Sequence, residues 1–456
     1  MARTTLSTPR VKIGQQPKHA TRKALGIPIV QFLVDVLGMR SRFSVVSITK
    51  GKNSTFSVVD LCVGILAIIV LECERLSHVD DQFGRELVLA HQLGLKRFFS
   101  QSTAHRFINQ FQGWHTNQLR RIHEGALRAH GSAVRSEEKV TDFDATTLSV
   151  EGRKREGAQP GFNRKAKGKD CYQASAAFCA NELITQTLDK GHVHCSQRLE
   201  TLFLRTWDIL GGFDVIRLDS GYFSKETLKF LLDYVGLRFL IAASGNCLGM
   251  KEARAYAKAH PKRWKRVGRK QDTFVMNFND HIIFSGMPIP LRLVLVKRRE
   301  RIKKVKKGRV HWPTKEYIYG IVTNIPRKEK TPNKVYRFYH KRATIENFFR
   351  ESRQSFHLGK LPSQKFRGNE AYLWFVALAY NSFAWFKRDV LPKHMQRRTA
   401  QTIRRKLNVE ADIQLDKLSI KLVFDQHYKF TGTYVYLFQR LNTLKACISP
   451  YYARAS

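Results

Sequence analysis

The chain has 456 residues, of which 80 are Lys or Arg and 37 are Asp or Glu, so its formal net charge is +43 at pH 7. Apolar residues make up 43% and aromatic residues 11%, which excludes a disordered basic tail. The charge also argues against an ordinary neutral or acidic metabolic enzyme, because so many like charges repel unless a polyanion neutralises them. Nucleic acid is therefore the first partner to consider.

The cysteines and the most apolar segment indicate a soluble intracellular protein. The seven cysteines are odd in number and lack paired spacing, which favours reduced thiols over a disulfide framework. The N-terminus, Met1–Lys23, is polar and lacks the apolar core of a signal peptide, and Val58–Leu71 is too short to span a bilayer. We therefore expect a cytoplasmic protein, associated with the nucleoid if its host is bacterial.

The first part of the chain, residues 1–135, is predicted to be a helical DNA-binding region. Apolar residues recur at spacings of three and four in Ile29–Leu37, Val58–Glu72, Arg85–Leu95 and Ser102–Gln112. Several short helices with interspersed basic residues suit a helix-turn-helix-like arrangement. A plain helical packing domain would show the same periodicity, so the pattern alone leaves both interpretations open.

From Lys139 the pattern changes, and residues 136–245 alternate between strands and helices. The predicted elements are three strands, a helix, a strand, a helix and a strand: Val140–Val150, Tyr172–Ala180, Glu182–Leu188, Cys195–Leu210, Asp214–Gly221, Ser224–Val235 and Arg238–Ala243. This order predicts an α/β fold with a ribonuclease-H-like mixed sheet and helices on its faces. In such a sheet the first and fourth strands are neighbours.

Residues 246–332 break this rhythm and predict a mostly β, basic insertion. Its strand signals are Asp272–Phe278, His281–Phe284, Leu291–Val296 and Tyr317–Thr323. Between the last two lies Lys297–Arg309, in which nine of thirteen residues are basic, so it is either a solvated loop or an arm that contacts phosphates. We favour the arm, with these candidate DNA contacts: Arg298, Arg299, Lys303, Lys304, Lys306 and Lys307. Trp264, flanked by basic residues, suits stacking on an unpaired base and core packing equally.

Helical patterns return in residues 333–390, which we assign to the second part of the core. Arg342–Phe356 and the strongly apolar Asn369–Arg388 are the predicted helices. The C-terminal region, residues 391–456, combines a predicted helix at Arg397–Leu407 with predicted strands at Leu418–Phe424 and Thr433–Phe438.

Three acidic residues are the candidate catalytic groups. Asp144 lies within the first predicted core strand and Asp219 ends the fourth, so the two carboxylates can face each other. Converging carboxylates repel, and divalent cations such as Mg²⁺, which prefer oxygen ligands, relieve that repulsion. Glu346, on the first turn of a later helix, supplies a third acid. Asp142 competes with Asp144, because strand alternation places both on the same face.

Several segments together carry a family resemblance. They are Asp142–Val150, Glu156–Tyr172, Arg217–Ser224, Val322–Asn324 and the spaced set Tyr339, Arg342, Glu346 and Arg353. In combination they resemble the DDE transposases of the IS4-like group, and most closely the IS1380-family insertion-sequence transposases. Two features depart from that pattern: the last signature position is usually Lys but is Arg353 here, and extra basic residues occur at Arg153–Arg155.

The resemblance implies a function and a set of site residues. Asp144, Asp219 and Glu346 would be the catalytic and metal-binding triad, and the Asp-x-Thr-Thr context favours Asp144 over Asp142. Two Mg²⁺ ions would be the cofactors, with Mn²⁺ as a substitute, while Tyr339, Arg342 and Arg353 would hold DNA phosphates. The partners would be the double-stranded DNA of terminal inverted repeats and target, bound by a homodimer.

The implied activity is metal-dependent cleavage at element ends followed by strand transfer into target DNA, as in cut-and-paste transposition. Two alternatives stay open from the sequence. One is a domesticated relative that binds DNA without activity, and the other is a ribonuclease-H-fold nuclease that does not transfer strands. The presence of all three acids favours an enzyme, and the helical and basic regions outside the core favour a transposase.

Overall fold

The computed structural model describes residues 20–152, 155–161, 163, 166–243, 250–268, 272–279, 282–284, 287–289, 291–301, 304–306, 309–416 and 419–452. The chain is a mixed α/β protein with a large mixed sheet. The predicted N-terminal tail up to His19 lies outside the described residues. So do His281 and Leu418, at the edges of two predicted strands.

Short helices form the N-terminal part, as the apolar spacing predicts. They are α1 (Gly26–Gln31), which continues into a π-helical turn (Phe32–Val36), α2 (Met39–Phe43), α3 (Val58–Val70), α4 (Val79–Phe83), α5 (Leu87–Gln92), α6 (Gln101–Ile108), α7 (Gly113–His130) and α8 (Ser132–Arg135). Ser57 and Asp60 form a reciprocal capping box at the start of α3. Leu61 to Val70 are buried, which confirms a core helix. In the described part of the chain, no helix is long and apolar enough to cross a membrane.

The strands are β1 (Ala20–Thr21), β2 (Val140–Ser149), β3 (Gln159–Pro160), β4 (Asp170–Cys179), β5 (Glu182–Lys190), β6 (Val215–Leu218), β7 (Arg238–Ala243), β8 (Lys265–Arg266), β9 (Thr273–Asn279), β10 (Ile282–Phe284), β11 (Met287–Ile289), β12 (Arg292–Arg301), β13 (Lys304–Lys306), β14 (Arg309–His311), β15 (Thr314–Thr323), β16 (Ala411–Asp416) and β17 (Ser419–Val423). In the main sheet, β5, β4 and β2 are successive antiparallel neighbours. β2, β6 and β7 then run parallel, so the first and fourth core strands are adjacent, as predicted.

The β-rich segment extends this same sheet beyond β7, in the order β15, β12, β9, β8. Thr323, the last residue of β15, and Asn324, which follows it, connect the β-rich segment to the core strand β7. Thr323 donates a hydrogen bond from its hydroxyl to the carbonyl of Phe239 (2.6 Å), and the Asn324 side chain bonds the backbone of Phe239 and Leu237. The strands of the insertion therefore extend the edge of the core sheet.

Within the basic run of residues 297–309, the residues that the structure describes (297–301, 304–306 and 309) lie in β-strands. β12 continues to Arg301 and pairs with β15 along its whole length, from Arg292 opposite Thr323 to Arg301 opposite Thr314. β13 and β14 pair with each other in antiparallel orientation. The cross-strand bonds satisfy the backbone, and the charged side chains of Arg298 and Arg299 stay exposed.

The remaining helices are α9 (Leu199–Leu210), α10 (Lys225–Leu232), α11 (Met250–Ala259), α12 (Pro332–His340), α13 (Ala343–Ser355), α14 (Phe366–Asp389), α15 (Lys393–Gln396), α16 (Ala400–Leu407) and α17 (Thr431–Tyr452). α14 is largely buried, as its apolar composition predicts.

The predicted strand at Thr433–Phe438 is wrong, because this segment belongs to α17. Its β-branched and aromatic residues favour a strand locally, but Tyr434, Leu437 and Leu441 are buried at helical spacing.

Candidate active site

A cleft of 740 Å³ opens where β2 and β6 lie side by side, and both predicted aspartates line it. In the parallel register of these strands, Phe143 is opposite Leu218. The next residues along the chain, Asp144 and Asp219, are therefore neighbours. The other lining residues are Ala145–Ser149, Gly161, Asn163, Lys167, Gln173, Val193–Cys195, Ser220, Gly221, Arg353 and Gly359.

Asp144 is a buried carboxyl, only 9% exposed. Burial raises its pKa to about 6; the nearby charge of Asp219 acts in the same direction, and the guanidinium of Arg342 acts against it. Arg342 Nη1 lies 3.2 Å from Asp144 Oδ2, and the amide of Ala145 donates to Oδ1 at 2.8 Å. Asp219 is thus close enough to disfavour the ionised form of Asp144.

The Asp219 side chain is fixed by the turn that follows β6. Its Oδ1 accepts a hydrogen bond from the amide of Gly221 at 2.8 Å and so caps the short 3₁₀ turn Ser220–Tyr222. A Cβ at Gly221 would lie 3.0 Å from this oxygen and 3.2 Å from Cys195 Sγ. Glycine is therefore the residue that lets the turn close so tightly around the carboxylate, which leaves the Asp219 side chain on the cleft surface.

The third predicted acid reaches the site through an arginine. Arg342 precedes the first residue of α13, and Glu346 lies on its first turn. Arg342 Nη2 is 3.6 Å from Glu346 Oε1, while the Glu346 side chain is 65% exposed. Burial alone would lower the pKa of Arg342, but Asp144, with smaller contributions from Tyr339 and Asp219, reverses this and raises it. Arg342 therefore stands as a fixed cation between two of the three acids.

Two of the three predicted carboxylate ligands are placed to bind a hard divalent cation in the cleft. Asp144 and Asp219 offer adjacent carboxylate oxygens whose repulsion such a cation would relieve. Glu346 is turned towards Arg342. Within the ranges that the structure describes, no three His, Cys, Asp or Glu side chains converge on one position that could hold a metal ion. The two aspartates therefore suit a metal ion, whereas the Glu346 side chain contacts Arg342 instead of lying beside them.

Asp142, the alternative first acid, is engaged elsewhere. Its two carboxylate oxygens accept hydrogen bonds from Nε and Nη2 of Arg217, both at 2.6 Å, and both side chains are nearly inaccessible. Arg217 also donates to the carbonyl of Phe338 at 2.7 Å. Asp142 and Asp144 share a strand face, as predicted, but only Asp144 lines the cleft. The buried partner that separates them lies on the adjacent strand, and strand periodicity alone does not identify it.

The two other signature residues contact the strands that carry the aspartates. The hydroxyl of Tyr339 donates to the carbonyl of Leu218 at 3.1 Å, next to Asp219, and the side chain is 8% exposed. Burial raises the pKa of Tyr339 to about 12. Arg353 lines the cleft and donates to the Thr146 hydroxyl and, at 2.9 Å, to the Thr147 carbonyl. Tyr339 is thus committed to the protein interior, whereas Arg353 borders the open space.

The sequence comparisons agree with this geometry. A family model described as transposase DDE domain, group 1, matches residues 26–446. The chain belongs to this transposase family. Among solved structures, the Mos1 transposase paired-end complex with left transposon end is similar at 12% identity and a TM-score of 0.16, covering 40% of this chain and 59% of that one. This transposase-family chain thus spans less than two thirds of that structure's length. No curated protein sequence matches it.

Two of the predicted DNA contacts outside the cleft, Arg298 and Arg299, lie on β12 of this transposase-family chain, where it pairs with β15. Arg298 and Arg299 are exposed and pair with Glu300 (2.7 Å) and Glu316 (3.0 Å). Trp264 is half-buried, donates from its indole nitrogen to the carbonyl of Ala257 and lies under Lys297. For Lys304 and Lys306 the structure gives the backbone of β13 alone, and Lys303 and Lys307 lie outside the described residues.

A second, basic cleft adjoins the first, and no motif in the sequence predicts it. It has a volume of 220 Å³ and shares Ser149 and Gly359 with the aspartate cleft. Arg75, Arg155 and Lys360 line it, from three separate segments of the chain. Arg155 donates to the carbonyls of Leu361 and Ser363, which ties the loop after β2 to the loop after α13. The unusual run Arg153–Arg155 was the available signal, although residues 153 and 154 are not described.

Proposed function

We propose that the protein is a cut-and-paste DNA transposase of the IS4-like group, closest to the IS1380 family. It would cleave strands at the ends of its element and transfer them into target DNA. One observation carries this proposal: Asp144 and Asp219 lie side by side on parallel strands in an open cleft, in a chain whose match to the transposase family spans residues 26–446.

The sheet supports a ribonuclease-H-like core as the catalytic unit. In its strand order, β5–β4–β2–β6–β7, neighbouring strands are antiparallel from β5 to β2 and parallel from β2 to β7. Helix α9 connects β5 to β6, and α10 connects β6 to β7. We infer five units along the chain: the DNA-binding helices of residues 1–135, core residues 136–245 and 333–390, the insertion of residues 246–332, and a C-terminal region from 391. The insertion would present its ribbon to DNA while continuing the core sheet.

Asp144, Asp219 and Glu346 are the proposed metal ligands. Transposases with a DDE domain generally use divalent metal ions, and the all-oxygen donor set favours two Mg²⁺, with Mn²⁺ as a substitute. Bound ions of this kind supply Lewis-acid polarisation of the phosphate and lower the pKa of the attacking water. The exposed Glu346 side chain would have to leave Arg342 to join the aspartates. Nη2 of Arg342 would then be available to a phosphate oxygen of the DNA, while Nη1 stays beside Asp144.

The remaining cations would orient the strand to be cut. Arg353 borders the cleft with its guanidinium anchored on Thr146 and Thr147, which presents its other donors to a phosphate. The basic cleft with Arg75 and Lys360 would continue this path away from the aspartates. We propose double-stranded terminal repeats and target DNA as substrates. A homodimer on DNA would bring two ends together.

A cleavage assay on the element's own terminal repeats tests the proposal. End-labelled repeat DNA is incubated with Mg²⁺ and the wild-type chain, the Asp219→Asn variant or the control Asp233→Asn, which removes an exposed carboxylate after α10. We expect nicked and joined products from the wild type and the control and none from Asp219→Asn. Cleavage by Asp219→Asn at the wild-type rate would contradict the mechanism. Nicked products without joining would favour a nuclease, and binding without any product a domesticated relative.

A further inference from the structure

A third cleft, of 330 Å³, is lined by basic residues that the proposed function does not use. It lies where α7, β5, α9 and α14 meet. Five basic side chains line it, against the acids Asp189 and Glu370: Arg120, Lys190, Arg198, Arg205 and Arg367. It shares Val193 with the aspartate cleft, so the two are contiguous.

Most of these arginines have a carboxylate partner, but one does not. Arg198 pairs with Asp189 at 2.7 Å, Arg367 with Glu370 at 2.6 Å, and Arg120 with Glu124. Arg205, half-buried on α9, has neither a hydrogen bond nor an ion pair with any residue in the described ranges. The Nε atom of Arg120 is also buried without an acceptor. Two guanidinium groups at this cleft thus retain unsatisfied donors.

The electrostatics of Arg205 indicate an excess of positive charge in the cleft. Burial lowers its pKa first, and the charge of Arg120 lowers it further. Glu124 and Glu370 act in the opposite direction without cancelling these effects, and Arg198 adds to them. A half-buried charge beside like charges costs stability unless an anion compensates it.

We propose that this cleft binds a backbone phosphate of DNA, with Arg205 and Arg120 as its donors. A planar guanidinium presents parallel N–H groups that match phosphate oxygens, and such bonds are strong when partly desolvated. The contiguity with the aspartate cleft places this phosphate on the strand that enters the active site. The phosphate site stands on the arginine cluster alone, and its assignment to DNA rests on the proposed function.

Replacing Arg205 by Gln separates this role from a structural one. The control is Arg238→Gln, which removes the same charge from a partly exposed arginine at the start of β7 that pairs with Glu329 at 2.8 Å. DNA affinity is measured by titration at several salt concentrations. For Arg205→Gln we expect about tenfold weaker binding at low salt and a slope of log K against log salt that is smaller by about one, as for one lost phosphate contact. The control should keep the wild-type slope.

Thermal unfolding of the DNA-free proteins provides the second readout. Arg205→Gln should unfold at or above the wild-type temperature, because it removes an uncompensated charge, whereas loss of a structural contact would lower it. A slope equal to that of Arg238→Gln, or a clearly lowered unfolding temperature, would overturn the proposal.

A final arm titrates inorganic phosphate and pyrophosphate instead of DNA. Weaker phosphate binding by Arg205→Gln, together with the altered DNA slope, supports the proposal. Weaker phosphate binding with an unaltered DNA slope would assign the cleft to a free phosphorylated ligand and overturn the DNA assignment. If the wild type bound no DNA, the proposed function would fail. The titration with phosphate and pyrophosphate would still show whether the cleft binds phosphate.

Discussion

The buried pair of Asp142 and Arg217 offers a sharp prediction, because it decides which of two neighbouring aspartates is structural. The side chains are 5% and 6% exposed and are joined by two hydrogen bonds of 2.6 Å. In Asp142→Asn the guanidinium keeps the carbonyl of Phe338 as an acceptor but loses its counter-charge. Removing one member of a buried ion pair costs about 3–5 kcal/mol, so we expect a loss of that size in the free energy of unfolding.

Urea unfolding of three variants provides the test. Asp142→Asn and Arg217→Met should each be strongly destabilised, and the double variant Asp142→Leu/Arg217→Met should recover most of the loss, because no buried charge is then unpaired. DNA cleavage by the folded fraction of Asp142→Asn should persist. A loss below about 1 kcal/mol in the single variants would refute the reasoning on the ion pair. Abolished cleavage in a folded Asp142→Asn would make Asp142 the ligand instead.

Three further predictions concern the cleft. The pKa of Asp144 is about 6 against an ordinary 3.8, so its ionised form destabilises the fold increasingly as pH rises from about 4 to 6. In urea titrations, Asp144→Asn should match the wild type near pH 4 and exceed it by about 2–3 kcal/mol above pH 7; a difference independent of pH would contradict this. Tyr339→Phe should slow single-turnover cleavage without weakening DNA binding, because its hydroxyl supports the strand end before Asp219; weaker binding at an unchanged rate would instead indicate a phosphate contact. Arg75→Gln combined with Lys360→Gln should weaken DNA binding and reduce its salt slope by about two; an unchanged slope would exclude the basic cleft from the DNA path.

The core strands could be predicted because their pattern is local. The alternating pattern of Val140–Val150 and the apolar Arg238–Ala243 each predict a strand, and the structure places strands there with nearly the same bounds. The adjacency of β2 and β6 followed from element order, and it brought Asp144 and Asp219 together as expected. These inferences needed periodicity, connection rules and the strand order expected of a ribonuclease-H-like sheet.

Features that depend on contacts between residues far apart in the chain could not be predicted from the local sequence pattern. The segment Thr433–Phe438 has strand-like composition, but tertiary burial of Tyr434 and Leu437 makes it helical. The choice between Asp142 and Asp144 depends on Arg217, which lies on another strand. The basic cleft draws residues from positions 75, 155 and 360, and no local pattern connects segments so far apart in the chain.

The central claim is that Asp219 binds a catalytic metal ion, and its replacement by Cys tests this most directly. A thiolate is a soft ligand, which Mg²⁺ accepts poorly and a transition metal such as Mn²⁺ accepts more readily. Cleavage of terminal-repeat DNA is measured for Asp219→Cys and Asp219→Ala in each metal, under reducing conditions because Cys195 lies close by. We expect Asp219→Cys to be inactive in Mg²⁺ and to regain cleavage in Mn²⁺, while Asp219→Ala stays inactive in both. Equal behaviour of the two variants in both metals, or full activity of Asp219→Ala in Mg²⁺, would contradict the claim.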